Sequence, residues 1–306
     1  MFNKTFLKRT SILLSLILLI LSTNEIKSQY ATDNVDVSFG IKTWDPVHIK
    51  KEEKKGSSSA SSSQIRFTAT NSTYYPFLLK IDFIEFDNLF PKPPNRDMQV
   101  SHGTNNLFSC SLHVPGIGYS LRYSYGYWLA PSDENSDENY PYLVPLKEGK
   151  TINAKVTSKG KILNSFMGNT GDTVYSMRRG LVTAVPRTET MDFRLSGHDC
   201  LEIRHDDGTY MIYRNLEKNT DFTAPGKIIL PGQPVGLFSD SLYVVVSLVK
   251  VSTVKNQLEG LPITYANGKN NTASFSELEG TGKSVHPWEV VIKELKNKEI
   301  KKLQKE

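Results

Sequence analysis

Between Gln64 and Val251 the chain leaves no room for a long helix. Apolar residues come in short runs, among them IRFTATN, FLLKIDFIEFDNLF, LFSCSLHV and YSLRYSYGYWLAP, separated by Pro, Gly and Asn breaks. Runs of this length, rich in aromatic and β-branched residues, suit the strands of a β-sandwich. Near Lys150 the texture changes to shorter strands and glycine turns. The expectation is an all-β protein. A β-sandwich-like domain would occupy residues 29–150, a second β-sheet core 151–262, and a C-terminal extension 263–306. In that extension, EVVIKELKNKEIKKLQKE from Glu289 places Ile292, Leu295, Ile300 and Leu303 at helical spacing, with Pro287 suited to a first-turn position. It predicts one short helix, docked on the β domain or solvated, with a membrane-surface role the weaker option.

The first 28 residues stand apart from that fold. Lys4, Lys8 and Arg9 precede an apolar core over 12–21, which is shorter than the roughly 20 residues a membrane span needs. This is the pattern of a secretory signal peptide with a cut after Ser28, an uncleaved anchor being the alternative. The expected location is therefore the periplasm or the cell exterior, with no stable membrane span after cleavage. The leader carries a net +3 of the chain's +5, so the remainder is close to +2. A nucleic-acid partner is set aside on that balance.

Three segments have bland readings. Residues 48–63, including the charged and serine-rich run KKEEKKGSSSASSS, are expected to form a mobile loop. Tyr119, Leu121, Tyr123, Tyr125 and Tyr127 share one strand face, which offers a platform for sugars or, more commonly, core packing. The acidic stretch PSDENSDENY lacks the glycine and terminal glutamate of a calcium loop and reads as solvent-facing. Cys110 and Cys200 either pair in an oxidising compartment or serve as two small buried apolar groups.

The stretch IRHDDGTYMIYRNL reads as a β-hairpin turning at Asp207-Gly208. With GDTVYSMRRGLVTAV before it, and PGKIILPGQPVG and LYVVVSLV after it, the order resembles the β core of lysostaphin and LytM-type zinc endopeptidases. The match covers residues 163–251, about a third of the chain. The β-rich segment ahead of it is similar to the all-β region that precedes this core in some secreted members. The same strand-turn-strand also resembles biotinyl and lipoyl carrier domains, but the turn reads Ser-Met-Arg-Arg-Gly where those need a lysine.

The zinc-endopeptidase resemblance implies a metal held by a His-x-x-x-Asp pair and by the second histidine of a His-x-His strand. The first histidine of that strand and the histidine of Tyr-x-His-Leu would activate water. Three protein ligands and one open position are what bring the pKa of a bound water to about 7. This chain departs from the pattern at each place. Ser165 falls where the aspartate would be, Lys161 where the first histidine would be, and Asn215 in the Tyr-x-His-Leu place. No histidine lies between His205 and His286, so the terminal strand has none.

The expectation is a catalytically inactive relative, with no cofactor, that binds peptidoglycan or a peptide or regulates an envelope hydrolase. Ser165, Arg178, Arg214 and Asn215 are its candidate binding residues, on the view that an arginine and an amide suit a ligand carboxylate or amide. One alternative is a zinc hydrolase with relocated ligands His198, His205 and Asp207. Another is an interaction module that uses the first β domain.

Overall fold

The computed structural model describes residues 47–54, 64–132, 136–137, 139–156, 164–186, 200–253, 257–268, 271–278 and 282–304. The leader, residues 55–63, Lys161 and the pair His198 and Asp199 lie outside the described residues.

Two antiparallel sheets make up the first unit. One orders Val47–Lys54, Gln64–Asn71, Gly103–Leu112 and Leu89–Phe90; the other orders Met98–Val100, Phe77–Asp87 and Ser120–Leu129. Period-two alternation in Gln64–Asn71 buries Ile65, Phe67 and Ala69 on one side. Phe67 is the hub between the sheets. Its ring lies 4.4 Å from Phe108 on its own sheet and 5.4 Å and 5.9 Å from Tyr123 and Phe83 on the other. The tyrosine face is core: Tyr123 and Tyr125 are buried, and Tyr119, Leu121 and Tyr127 pack against them.

The expected loop over residues 48–63 requires correction over 48–54, the part that the structure describes. Val47–Lys54 is a strand paired along its whole length with Gln64–Asn71. Val47 and Ile49 join the core, while the charges occupy a sheet edge, where lysine and glutamate discourage pairing with other chains.

In the second unit a large antiparallel sheet runs Ile228–Ile229, Gly180–Ala184, Leu201–Arg204, Tyr210–Arg214, Tyr243–Val251, Asn164–Met167 and Ala154–Val156. Leu258–Leu261 also pairs with Tyr243–Val251. Thr173–Tyr175 pairs with Pro234–Leu237 in a small second sheet. One face of the large sheet, with Phe166, Ile203, Met211, Tyr213, Val244 and Val246, forms the main core. Packing also redraws the boundaries expected at 150 and 262. Tyr140, Tyr142, Val144 and Leu146 lie in this core, as do Ile263, Tyr265, Phe275 and Leu278. Pro141–Tyr142 even pairs in parallel with Thr264–Ala266.

The C-terminal helix is split, and Pro287 is its N-cap rather than a first-turn residue. Trp288–Val291 makes one turn, and Asn297–Leu303 starts afresh at an extended Lys296. Asparagine favours such a break over a helix interior. Glu299 caps the new start, accepting a 2.8 Å bond from the Lys296 backbone N–H. Among the described residues no helix is long and apolar enough to cross a membrane.

The two units share contacts. Tyr75 of the first stacks on Tyr210 of the second and donates a 2.5 Å hydrogen bond to the buried Glu202 carboxylate. Ser132 donates to the Gly208 carbonyl at 2.7 Å and accepts from the Val251 N–H at 3.0 Å, so one end of the acidic stretch is buried rather than solvent-facing. Cys110 and Cys200 are both buried and form no disulfide with each other, and the Cys200 thiol donates to the Glu202 carboxylate at 3.4 Å. Removing the Tyr75 hydroxyl deprives a buried carboxylate of a charge-assisted bond. Tyr75→Phe is expected to cost about 1–3 kcal/mol of unfolding free energy. Denaturant titration checks this, and an unchanged midpoint would contradict it.

Candidate functional site

The hairpin forms between Leu201–Arg204 and Tyr210–Arg214, with Leu201 opposite Tyr213 and Arg204 opposite Tyr210. Its turn is one residue longer than the two-residue turn expected at Asp207-Gly208. The Gly208 N–H donates to the His205 carbonyl at 3.0 Å, His205 N–H donates to the Thr209 carbonyl at 2.8 Å, and Gly208 has φ of 78°. Such a three-residue loop requires the left-handed conformation that glycine supplies without strain.

At this tip lie His205 and Asp207, two of the alternative metal ligands. Asp207 is already committed, and His205 is committed through one ring nitrogen. The His205 ring donates from Nδ1 to the Arg179 carbonyl at 2.8 Å, which leaves Nε2 as a buried lone pair with no partner among the described residues. Burial and the nearby Arg178 charge push its pKa down to about 3. Asp207 accepts from the Thr209 N–H and hydroxyl on one oxygen and from Arg178 on the other. Burial would raise its carboxyl, but Arg178 and Thr209 outweigh that and hold it below its ordinary range. Among the described residues no three His, Cys, Asp or Glu side chains come together to hold a metal ion.

Arg178, expected beside Arg214 and Asn215 to meet a ligand, is instead filled from within the chain. Its buried guanidinium donates to Glu294 through Nε at 2.9 Å and Nη2 at 2.5 Å, to Asp207 at 2.9 Å and to the Tyr142 hydroxyl at 3.0 Å. It also lies 3.9 Å over the Tyr140 ring. Arg179 repeats the arrangement with Asp206 and Glu299. Consecutive arginines thus each bridge the hairpin tip to the C-terminal segment. The tip lies at the Tyr210 end of a strand that Arg214 ends, roughly 13 Å away at the rise of a β-strand.

Ser165 and Arg214 lie at that far end, and Asn215 follows Arg214 in the chain. Ser165 stands opposite Val245, and Val245 opposite Arg214, so the three side chains share one rung and one face. The Ser165 hydroxyl is buried and makes no hydrogen bond among the described residues. Arg214 donates to the Ser247 hydroxyl at 3.0 Å. Asn215 has φ of 65°, and its carbonyl accepts from Ser239 at 2.8 Å. It lines an open cleft of about 390 Å³ with Thr170, Glu217, Lys218, Ser239 and Asp240. Next to this cleft in the chain, Leu242 is half exposed with φ of 60°, an uncommon conformation for a bulky residue.

Ser247 and the cleft residues other than Asn215 were not singled out from sequence. Strand parity could have found Ser247, because it shares a face with Val245. The donor set of the rung, a serine hydroxyl, a valine and a guanidinium, does not fit zinc.

The state of His205 has a measurable consequence. Its folded pKa lies below the unfolded value near 6.5, so the unfolded chain takes up the proton first. The stability it contributes is complete above pH 6.5 and is lost as pH falls toward 3. Between pH 6 and 4.5 unfolding free energy should fall by on the order of 1 kcal/mol per pH unit from this group. Urea titrations across that window should show the slope in the native chain and a flatter one in His205→Asn.

The sequence matches no protein-family model and no curated protein. Among solved structures it is similar to Helicobacter pylori Csd3 in a hexagonal crystal, at 13% identity over 79% of this chain and 54% of that chain, with a TM-score of 0.29. For Csd3 in an orthorhombic crystal the values are 11% identity, 80% of this chain, 57% of that chain and a TM-score of 0.28. The chain spans just over half the length of the Csd3 chains. Likeness this slight leaves fold and function to be read from this chain's own residues.

Proposed function

We propose that the chain is an exported, non-hydrolytic relative of the lysostaphin and LytM-type endopeptidases, holding an envelope peptide by a free carboxylate at the Arg214 end of its sheet. Arg214 carries the reading. Among the described residues the buried arginines 178 and 179 each hold two carboxylates, whereas half-buried Arg214 has only the Ser247 hydroxyl. A half-buried guanidinium with donors to spare is an incomplete anion site. The Ser165 hydroxyl on the same rung, without a partner among the described residues, and the adjoining polar cleft support it. Exposed Met167, Leu242 and Tyr243, with Met167 opposite Tyr243, add apolar surface suited to a peptide side chain.

The chemistry of the rung favours holding over cutting. With serine, valine and arginine in place of carboxylate and imidazoles, nothing there would lower the pKa of a water molecule. Binding without cleavage also fits a part in regulating an envelope hydrolase, by presenting or masking its peptide substrate.

Calorimetry with a short peptidoglycan stem peptide, as the free acid and as the C-terminal amide, tests this. The acid should bind the native chain at least about tenfold more tightly, and Arg214→Ala should erase the difference while leaving the melting temperature within a few degrees. Equal binding of acid and amide, or an Arg214→Ala chain that still tells them apart, would overturn the reading.

A further inference from the structure

We infer that the C-terminal segment, residues 287–304, is a strap that fixes the first unit on the second by clamping the chain that connects them. The connection leaves the first unit after Leu129, where the Ala130 N–H still donates to the Pro76 carbonyl at 3.0 Å. Its described residues then meet the hairpin tip and the strap in turn. Ser132 holds the Gly208 carbonyl and the Val251 backbone. The Asp137 carboxylate accepts from the Lys293 ammonium at 3.2 Å. The Tyr140 ring takes the Arg178 guanidinium at 3.9 Å and the Lys293 ammonium at 4.6 Å, and the Tyr142 hydroxyl accepts from Arg178 at 3.0 Å. Arg178 and Lys293 therefore tie the strap, the connection and the hairpin tip together.

Each arginine divides its partners, and that makes the strap detachable. Arg178 has Asp207 from the hairpin tip and Glu294 from the strap; Arg179 has Asp206 from the tip and Glu299 from the strap. When the strap lifts, each buried guanidinium keeps one carboxylate. Neither is left as an uncompensated buried charge, which is what makes breaking a buried pair costly. The apolar hold of the strap is small. Val291 packs with Leu143 and Ala266, Val290 and Leu303 lie beside them, and the second short helix has no buried residue. Lysines 296, 298 and 301 of the strap are exposed.

The direct seat between the units is modest as well. Among the described residues, Ala184, Tyr210 and Val251 are the buried second-unit side chains that join the first unit's core, and Tyr75 adds its hydrogen bond to Glu202. Units joined through a small seat move relative to one another by default. Pinning the connection at Asp137 and Tyr140 shortens the free tether and raises the effective concentration of the first unit at its seat. Tyr210 and Arg214 share one face of their strand, so that seat lies on the sheet face that carries the Arg214 rung. The strap thus controls how the first unit stands on that face, whether or not Arg214 holds a ligand.

Both native cysteines are buried, so exposed cysteines can be spin-labelled selectively. Pulsed double electron resonance on the full chain would read two pairs. Gln99→Cys with Lys147→Cys spans the units, and Lys301→Cys with Lys147→Cys spans strap and second unit; all three native side chains are exposed. Without further substitution both distance distributions should be narrow. Adding Glu294→Lys and Glu299→Lys sets a cation against each arginine and should roughly double both widths. A strap that stays docked with both anchors reversed would overturn the inference. So would a strap that leaves while the distribution across the units keeps its native width. If circular dichroism shows that the reversed chain does not fold, Lys293→Glu takes its place, a half-exposed position that would then repel Asp137. Both distributions should widen in that variant with the fold intact, and an unchanged width across the units would overturn the inference there too.

Discussion

The register of the Tyr243–Val251 strand is the constraint on which the second unit depends. It lies between Asn164–Met167 and Tyr210–Arg214, and it sends Val244, Val246 and Leu248 into the main core. A slip by one residue would turn that core face outward, so the hydrophobic pattern leaves one pairing. The same pairing sets Ser165, Val245 and Arg214 in line on the opposite face. The chemistry available at the candidate site thus follows from how the core is filled. Once the core is fixed, only the identity of the outward residues decides between a metal centre and an anion site.

Ionic contacts anchor the other end of the sheet. The C-terminal segment contributes little apolar burial: Val291 is the one buried residue of its first short helix, and the second has none. Its position is set by Glu294 on Arg178 and Glu299 on Arg179. Removing one partner of a buried ion pair typically costs about 3–5 kcal/mol, whereas replacing a whole pair with apolar groups is often neutral. The arginine pair is therefore better understood as specifying where the tail and hairpin tip lie than as adding net stability. It also explains why Arg178 is closed to an outside ligand.

Much of the architecture could be read in the sequence. Short aromatic runs and regular breaks mark both β units, and alternation alone places Ile65, Phe67 and Ala69 inside. Within the loop expected over 48–63, residues 48–54 form a strand instead, because Val47 and Ile49 are too few apolar residues to reveal a charged edge strand, which only its pairing partner makes evident. The tail was read from the spacing of its apolar residues, yet its course depends on carboxylates meeting arginines more than a hundred residues away. At the candidate site, strand register places Ser165 and Arg214 on either side of Val245, with Asn215 following Arg214 in the chain. Position in the sequence misplaced Arg178 because charge alone does not reveal which internal partners a side chain has.

The function proposed here joins these strands of evidence: a sheet built to present a site, whose residues favour holding an anion over activating water. Zinc content is the most direct test of that claim. The purified chain, free of tag histidines, would be exposed to zinc, dialysed exhaustively and assayed for metal per chain. The account predicts a ratio near zero. One tightly held zinc per chain would contradict it and place His198 and His205 at the centre of a different site.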